Sequence, residues 1–397
     1  MEKQLRSACQ FGSVEEVREL LQNTHIDINW QDSYGETSLW IACAKGDIEI
    51  VKLLLNDERV DVNIANDLGA TALFIACEGG QIEIVKLLLS DGRVDVNKAQ
   101  NEGATPFYVA CQNAWIEIVE LLLNDQRVNI NQSANNGSTP LHITCLQGQM
   151  EIVKLLLNDK RIDIDKEDNN GVSLFYIACI YGYIEIVKLL LHDERVDINK
   201  STKIGTTPFY ATCYSRQFEP MKLLLNDKRV DINKPINDGA TPFYTVCQNG
   251  DIEAVKLLLN DKRIDINQSN NEDKTPLWIA CKNGHIETVK HILANERKVN
   301  LNVKDKEGKT AIDVAREGVG KRDWEIEDED EFEDWFESQW EIVRNTQRKE
   351  IIELMESFER NSDETRMKLR IQLGLAGNVY FFLFLFFLIF SLFLKRY

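Results

Sequence analysis

The sequence predicts an all-α fold: a helical solenoid, with a helix-turn-helix and a hairpin-like turn in each unit, followed by a C-terminal transmembrane helix. Three observations predict it. Nine cysteines fall at positions 9, 43, 77, 111, 145, 179, 213, 247 and 281, and every interval is 34 residues. Each interval holds two short apolar patterns of helical spacing. Near the C-terminus, the 22 residues from Leu373 to Leu394 carry no charge. A fixed period of this length marks an array in which each unit buries its apolar face only against its neighbours.

The cysteines come first because they set the register. No two lie close together, so no CxxC pair exists for zinc or redox chemistry. Their number is odd, and MEKQLRSACQ lacks the apolar core of a secretory signal. A reduced, cytosol-facing compartment is expected, with each cysteine a small buried core residue. The net charge of -18 argues against nucleic acid, whose recognition needs a basic face. The acidity is local: between Asp323 and Glu337, ten of fifteen residues are acidic and none is basic.

One unit, residues 64–97, shows the local logic. Gly69 suits a turn that needs positive φ, and Thr71 follows as a candidate N-cap. Sister units read Thr105-Pro106, Thr139-Pro140, Thr207-Pro208, Thr241-Pro242 and Thr275-Pro276, with proline at the first helical position, where its missing N–H costs nothing. Leu73, Ile75, Ala76 and Cys77 make a short first helix that Gly80 breaks. Ile82, Val85, Leu88 and Leu89 then give the apolar stripe of a second helix, which Asp91-Gly92 ends. Two helices of about eight residues are unstable alone, since isolated helices below about 12–15 residues are marginal. Stacking is obligatory.

The run from Gly137 to Cys145, Gly-x-Thr-Pro-Leu-His-Ile-x-Cys, followed by Gly148-x-x-Glu151-Ile-Val-Lys-Leu-Leu, resembles the ankyrin repeat. The resemblance covers residues 1 to about 318 and resumes near 348. Here the units run 34 residues, not the family's usual 33, because Asn-Asp-x-Arg replaces a shorter glycine-containing link. The expected organisation is a capping helix pair at 1–29, eight repeats at 30–302, and a capping repeat at 303–360. About 319–347 is read as an insertion within that last repeat, before Lys349-Glu-Ile-Ile-Glu-Leu-Met355 resumes it. A basic linker at 361–372 then leads to the transmembrane helix at 373–394.

Differences between copies point to function. The family's histidine survives only as His142, while Trp40, Phe74, Tyr108, Tyr176, Tyr210, Tyr244 and Trp278 take its place elsewhere. These rings read either as an aromatic binding ladder or as packing between repeats. The resemblance implies partner contacts through turn tips and the two residues closing each first helix. In the central copies those positions offer Leu146, Ile180, Tyr181 and Tyr214, which would form one apolar strip if repeats stack about 10 Å apart. Drift among duplicated copies explains them equally. Arg216 replaces an inter-helix glycine and Pro220 enters the following helix, so unit 200–233 is the expected soft spot.

Residues 323–340 mix acids with Trp324, Phe332, Trp335, Phe336 and Trp340. This segment reads as an acidic–aromatic recognition arm, as an autoinhibitory cover, or as a helical extension of the cap. At 1.5 Å per residue the 22-residue C-terminal run spans about 33 Å, enough for a bilayer core of about 30 Å. Arg366, Lys368 and Arg370 precede it and Lys395-Arg396 follows, as in a tail anchor of the endoplasmic reticulum or mitochondrial outer membrane.

No Gly-rich phosphate loop, HExxH, GxSxG or catalytic Cys–His pair is present. Cys281 and His285 each occupy ordinary repeat positions. The chain therefore reads as a non-catalytic scaffold holding cytosolic proteins, with no cofactor, metal, nucleic acid or small-molecule substrate. The alternative is a regulatory subunit acting on an enzyme through its acidic aromatic segment.

Overall fold

A computed structural model describes residues 1–319 and 331–375, with side chains described for 1–319 and 343–375. They form two compact units, one of residues 1–203 and one beginning at Ile204. Among the described residues there are helices, turns and one isolated bridge between Ala65 and Thr71, but no strand.

The first unit runs α1 (Glu2–Phe11), α2 (Val14–Leu21), α3 (Ser38–Lys45), α4 (Ile48–Leu55), α5 (Ala72–Glu78), α6 (Ile82–Ser90), α7 (Pro106–Gln112), α8 (Ile116–Asn124), α9 (Pro140–Leu146), α10 (Met150–Asn158), α11 (Leu174–Tyr181) and α12 (Ile184–His192). Odd-numbered helices stack on one another in chain order as an inner row, and even-numbered helices stack as an outer row. The second unit repeats the plan with α13 (Pro208–Tyr214), α14 (Phe218–Asn226), α15 (Pro242–Asn249), α16 (Ile252–Leu259), α17 (Pro276–Asn283), α18 (Ile286–Ala294) and α19 (Ala311–Gly318). It closes with α20 (Glu331–Arg360) against α17, α18 and α19, and α21 (Ser362–Gln372) against α18 and α20.

Each inner helix after the first starts at a hydroxyl. Thr37, Thr71, Thr105, Thr139 and Ser173 accept the backbone N–H three residues on, as do Thr207, Thr241, Thr275 and Thr310 in the second unit. The outer helices bury a narrower stripe than their sequence suggests. In α6 the core residues are Ile84, Val85 and Leu88, while Ile82 and Leu89 stay half-buried. The reason is the inner row: it covers only one side of each outer helix, and the apolar excess lies at the margin.

The 34th residue of the repeat has a structural use. Asp159 accepts from the Arg161 guanidinium at 2.6 Å and from its backbone N–H at 2.9 Å. The same guanidinium donates back to the Leu123 carbonyl, at the end of the preceding outer helix, at 2.7 Å. Arg59, Arg93, Arg127 and Arg195 reach Leu21, Leu55, Leu89 and Leu157 in the same way, and Arg263 and Arg297 reach Leu225 and Leu259 in the second unit. A cation at a helix C-terminus meets both unpaired carbonyls and the negative end of the helix dipole. Two amide ladders run alongside. Asn63 donates to Arg93 O and accepts from Asp95 N, a pattern repeated by Asn97 and Asn131. At the turn tips, Asn101, Asn135 and Asn169 each donate to the carbonyl 34 residues earlier.

The C-terminal end departs from expectation in three places. The outer helix of the last repeat does not resume at 349: α20 is continuous from Glu331. Residues 331–348 contain no glycine or proline, so nothing stops that helix from extending backwards beyond the repeat. Residues 362–372, read as a linker, form α21, with Leu369 buried and Arg370 paired to Glu296 at 3.0 Å. That helix ends at Gln372, and its cap occupies the first residues of the expected membrane span. Gly374 takes φ 66°, its N–H bonds Ile371 O and the Leu375 N–H bonds Arg370 O, a Schellman cap. A span starting at Leu373 is thereby excluded. Among the described residues no helix is long and apolar enough to cross a membrane. Residues 376–394, which hold most of the expected span, lie outside the described residues.

The arginine staple is testable. Arg161 hydrogen bonds hold the Asp159 carboxyl below its ordinary range. A carboxyl lowered in the folded state contributes stability that is present above its unfolded pKa of about 3.9 and lost as pH falls through the folded value. Arg161→Ala is expected to cost about 1 kcal/mol in urea unfolding at pH 7, a difference that shrinks below pH 4. Arg161→Lys restores little, since an ammonium lacks the planar fork. An unchanged urea midpoint in Arg161→Ala would show that the staple is ornamental.

Candidate partner-binding surface

Inner helices end at carbonyls too, and in several repeats one of these is closed from downstream. In the first unit Trp115 Nε1 donates to Glu78 O, Gln149 Nε2 to Gln112 O and Tyr183 Oη to Leu146 O, each at 3.1 Å and each 37 residues downstream. In the second, His285 Nε2 donates to Gln248 O at 3.0 Å, again 37 residues on. The last rung is Arg348, which donates to Lys282 O at 3.0 Å and Gly318 O at 2.7 Å. It lies 66 residues beyond Lys282, so the chain inserts 29 residues before completing the same contact. Close approach explains the inter-helix glycine. A Cβ on Gly80, at φ 71°, would meet the Trp115 ring at 2.7 Å.

With the backbone engaged, the side chains closing each inner helix point to solvent. Leu146 is 41% and Tyr181 53% exposed, and Ile180 is half-buried. The Tyr181 ring stacks on Tyr183, with centroids 5.9 Å apart, and Tyr183 in turn bonds the Leu146 carbonyl. Leu146, Tyr181 and Tyr183 are thus linked in one patch. Tyr183 escaped sequence reasoning because it sits at the start of the outer helix, a column not compared between copies. Tyr214, in the second unit, ends α13 and is 63% exposed. Trp324 lies outside the described residues, and Phe332, Trp335, Phe336 and Trp340 lie on α20 with side chains outside them.

Exposed apolar residues also occur where sequence reasoning did not look. Tyr34, Leu68 and Ile204 sit at turn tips, each one residue before the turn glycine, where other copies carry Glu102, Asn136, Asn170 and Asp238. Phe11 closes α1 at the position that Tyr181 holds in α11. Comparing the turn-tip column, and extending the helix-closing column to the first copy, would have revealed all four.

The aromatic column is packing. Phe74, Tyr108, Tyr210, Tyr244 and Trp278 are buried, and Trp40 and Tyr176 half-buried. His142 shows what they replace. Its Nδ1 faces both Thr139 Oγ1 at 2.7 Å and Thr139 N–H at 3.3 Å, completing a capping box, while Nε2 donates to Val172 O at 3.1 Å. Burial pushes the His142 pKa down, in keeping with a neutral ring. In the first repeat Trp40 Nε1 makes the same 30-residue bond, to Ala70 O at 3.1 Å. Burial likewise pushes every cysteine thiol up, Cys9 to about 12, which leaves them protonated and inert. Among the described residues no group of three or more His, Cys, Asp or Glu is placed to hold a metal.

Two copies fill the inter-helix glycine position with a side chain. Ala114 has φ 59° and Arg216 φ 57°, and Arg216 pairs with Asp251 at 3.6 Å. A left-handed non-glycine residue costs roughly 1–2 kcal/mol. Arg216→Gly is therefore expected to raise stability by about 1 kcal/mol in urea unfolding. A loss of stability would show that the ion pair outweighs the strain.

A comparison with curated proteins finds no match. A family model for ankyrin repeats, built of three copies, matches residues 4–66, 46–134, 116–202, 174–270 and 247–321. With the capped helix pairs, the stacked rows and the turn-tip ladder, those matches cover most of the chain, and the protein belongs to the ankyrin-repeat family.

Proposed function

We propose that this protein is a non-catalytic scaffold, tethered to a membrane through residues 376–394, that holds cytosolic proteins on the ends of its inner helices. The ankyrin array supports protein binding as the general role. The observation that carries the choice of surface is the patch of Leu146, Tyr181 and Tyr183: Leu146 and Tyr181 stay exposed, with half-buried Tyr183 stacked on Tyr181 and bonded to the Leu146 carbonyl. Such rigid aromatic anchors lose little side-chain entropy on binding. Tyr214 extends the candidate set in the second unit.

The tether rests on composition. Residues 376–394 hold seven phenylalanines and no charge, and 19 helical residues span about 28 Å. Arg366 and Lys368 on α21 precede it, and Lys395-Arg396 follows, so basic groups flank both ends. Such flanks fit the endoplasmic reticulum or the mitochondrial outer membrane alike.

Two experiments test the reading. Tyr181→Ala with Tyr214→Ala should reduce the bound fraction of the most abundant crosslinked partner at least about tenfold, the effect of losing one anchor worth about 1.4 kcal/mol. An unchanged partner set removes the surface. For the tether, the full chain should stay with sedimented membranes in high salt, while a chain lacking 376–397 should not. Release by salt alone removes the tether.

A further inference from the structure

The fold leaves no slack between the packed array and the uncharged run that follows it. Helix α21 is pinned along its length. Thr365 and Leu369 are buried, Thr365 Oγ1 lies 3.1 Å from Ser357 Oγ, and the Arg366 guanidinium lies 5.3 Å from the Phe358 ring centroid. The Schellman cap carries that order to Leu375, the last described residue. On the tether reading, the 19 uncharged residues 376–394 span about 28 Å as a helix, against a bilayer core of about 30 Å. None can be spared for a linker, so Leu375 lies where the bilayer core meets the headgroups.

Leu375 brings a second element to that boundary. Arg370 Nη2 donates to Leu375 O at 3.1 Å and to Glu296 Oε1 at 3.0 Å, so the end of α21 and the link after α18 meet across one nitrogen. The charges around this junction mostly cancel. Glu296 is taken by Arg370, Asp363 pairs with Arg366 at 3.6 Å, and Glu364 pairs with Lys368 at 2.6 Å. The Arg297 guanidinium turns inward to the Leu259, Asp261 and Ile264 carbonyls. Lys298 is the exception: it is exposed, two residues beyond Glu296, and in no ion pair among the described residues. On the α21 side Gln372 is exposed, and Leu375 is 43% exposed.

We propose that the link after α18 and the end of α21 form a contact with the membrane surface, Lys298 donating to lipid phosphate oxygens and Leu375 entering the apolar side of the headgroup layer. The contact rests on the tether reading and adds to it the face that the second unit turns to the bilayer. An ammonium donates and does not accept, which matches a phosphate, and the long lysine stem lets the charge stay among headgroups while the chain beside it continues into the core. Lys282, before α18, marks the other end of that helix, nine residues or about 13 Å away.

The test is lysine footprinting of the full chain, reconstituted in phosphatidylcholine vesicles that contain phosphatidylserine. A membrane-impermeant acylating reagent is read out by mass spectrometry, beside a chain lacking 376–397 mixed with the same vesicles. Relative to Lys282 in the same molecules, Lys298 should be acylated about fivefold more slowly in the full chain, as expected for a lysine held at an anionic surface. An equal Lys298 to Lys282 ratio in the two chains would overturn the contact. A flexible glycine–serine linker inserted after Leu375 should reduce the protection, and unchanged protection would overturn the rigid seat. Release of the full chain from the vesicles by high salt, read by sedimentation before the footprint, is the separate failure of the tether and removes the contact with it.

Discussion

A helix of eight or nine residues leaves about half its backbone carbonyls without an intrahelical partner, and this shortfall governs the array. Among the described residues, seven outer helices are closed by an arginine from the next repeat, as Leu123 is by Arg161, and four inner helices by the residue that precedes the next outer helix, as Leu146 is by Tyr183. A repeat is thus incomplete until its successor folds against it. The apolar core supplies most of the driving force, but these directed bonds set the spacing and orientation at which the core can pack. They also explain why the chain needs its elaborate C-terminal end, where Arg348 supplies the final donor to Lys282 and Gly318.

The same accounting explains why most copies abandoned histidine. A histidine at the third helical position completes a capping box and bonds the next turn, as His142 does with Thr139 and Val172. A ring such as Phe74 gives up both bonds and gains buried apolar surface, while Trp40 keeps the outward bond and gains surface as well. Because Thr71 still accepts the Phe74 N–H, the cap itself survives the exchange. Trp278 is the case where the outward bond is missing, its Nε1 having no acceptor among the described residues.

Much of the fold was legible. The cysteine period set the register, Thr-Pro pairs marked the inner helices, and Gly80 and its equivalents marked the break between helices. These signals are local: a cap, a proline and a positive φ each act within a few residues. The outer stripe was less legible, since Ile82 and Leu89 are apolar but lie at the margin of what α5 and its neighbours cover. The surface was legible in part. Leu146 and Tyr181 were visible as departures from polar sister copies, while Tyr183, Tyr34 and Leu68 went unread because their columns were not compared between copies.

By itself the sequence determined the repeat, its helices, its reduced and buried cysteines, and the presence of some thirty additional residues in the last copy. Periodicity and capping chemistry suffice for that, because each repeat meets nearly the same environment as the one before. Only the tertiary structure decided that Asp-x-Arg is a staple to the preceding helix, that α20 starts at Glu331, and that 362–372 is a packed helix ending in a Schellman cap. It alone decided which indole goes without an acceptor. Most of those outcomes turn on contacts 30 to 66 residues apart in sequence, which no local pattern specifies.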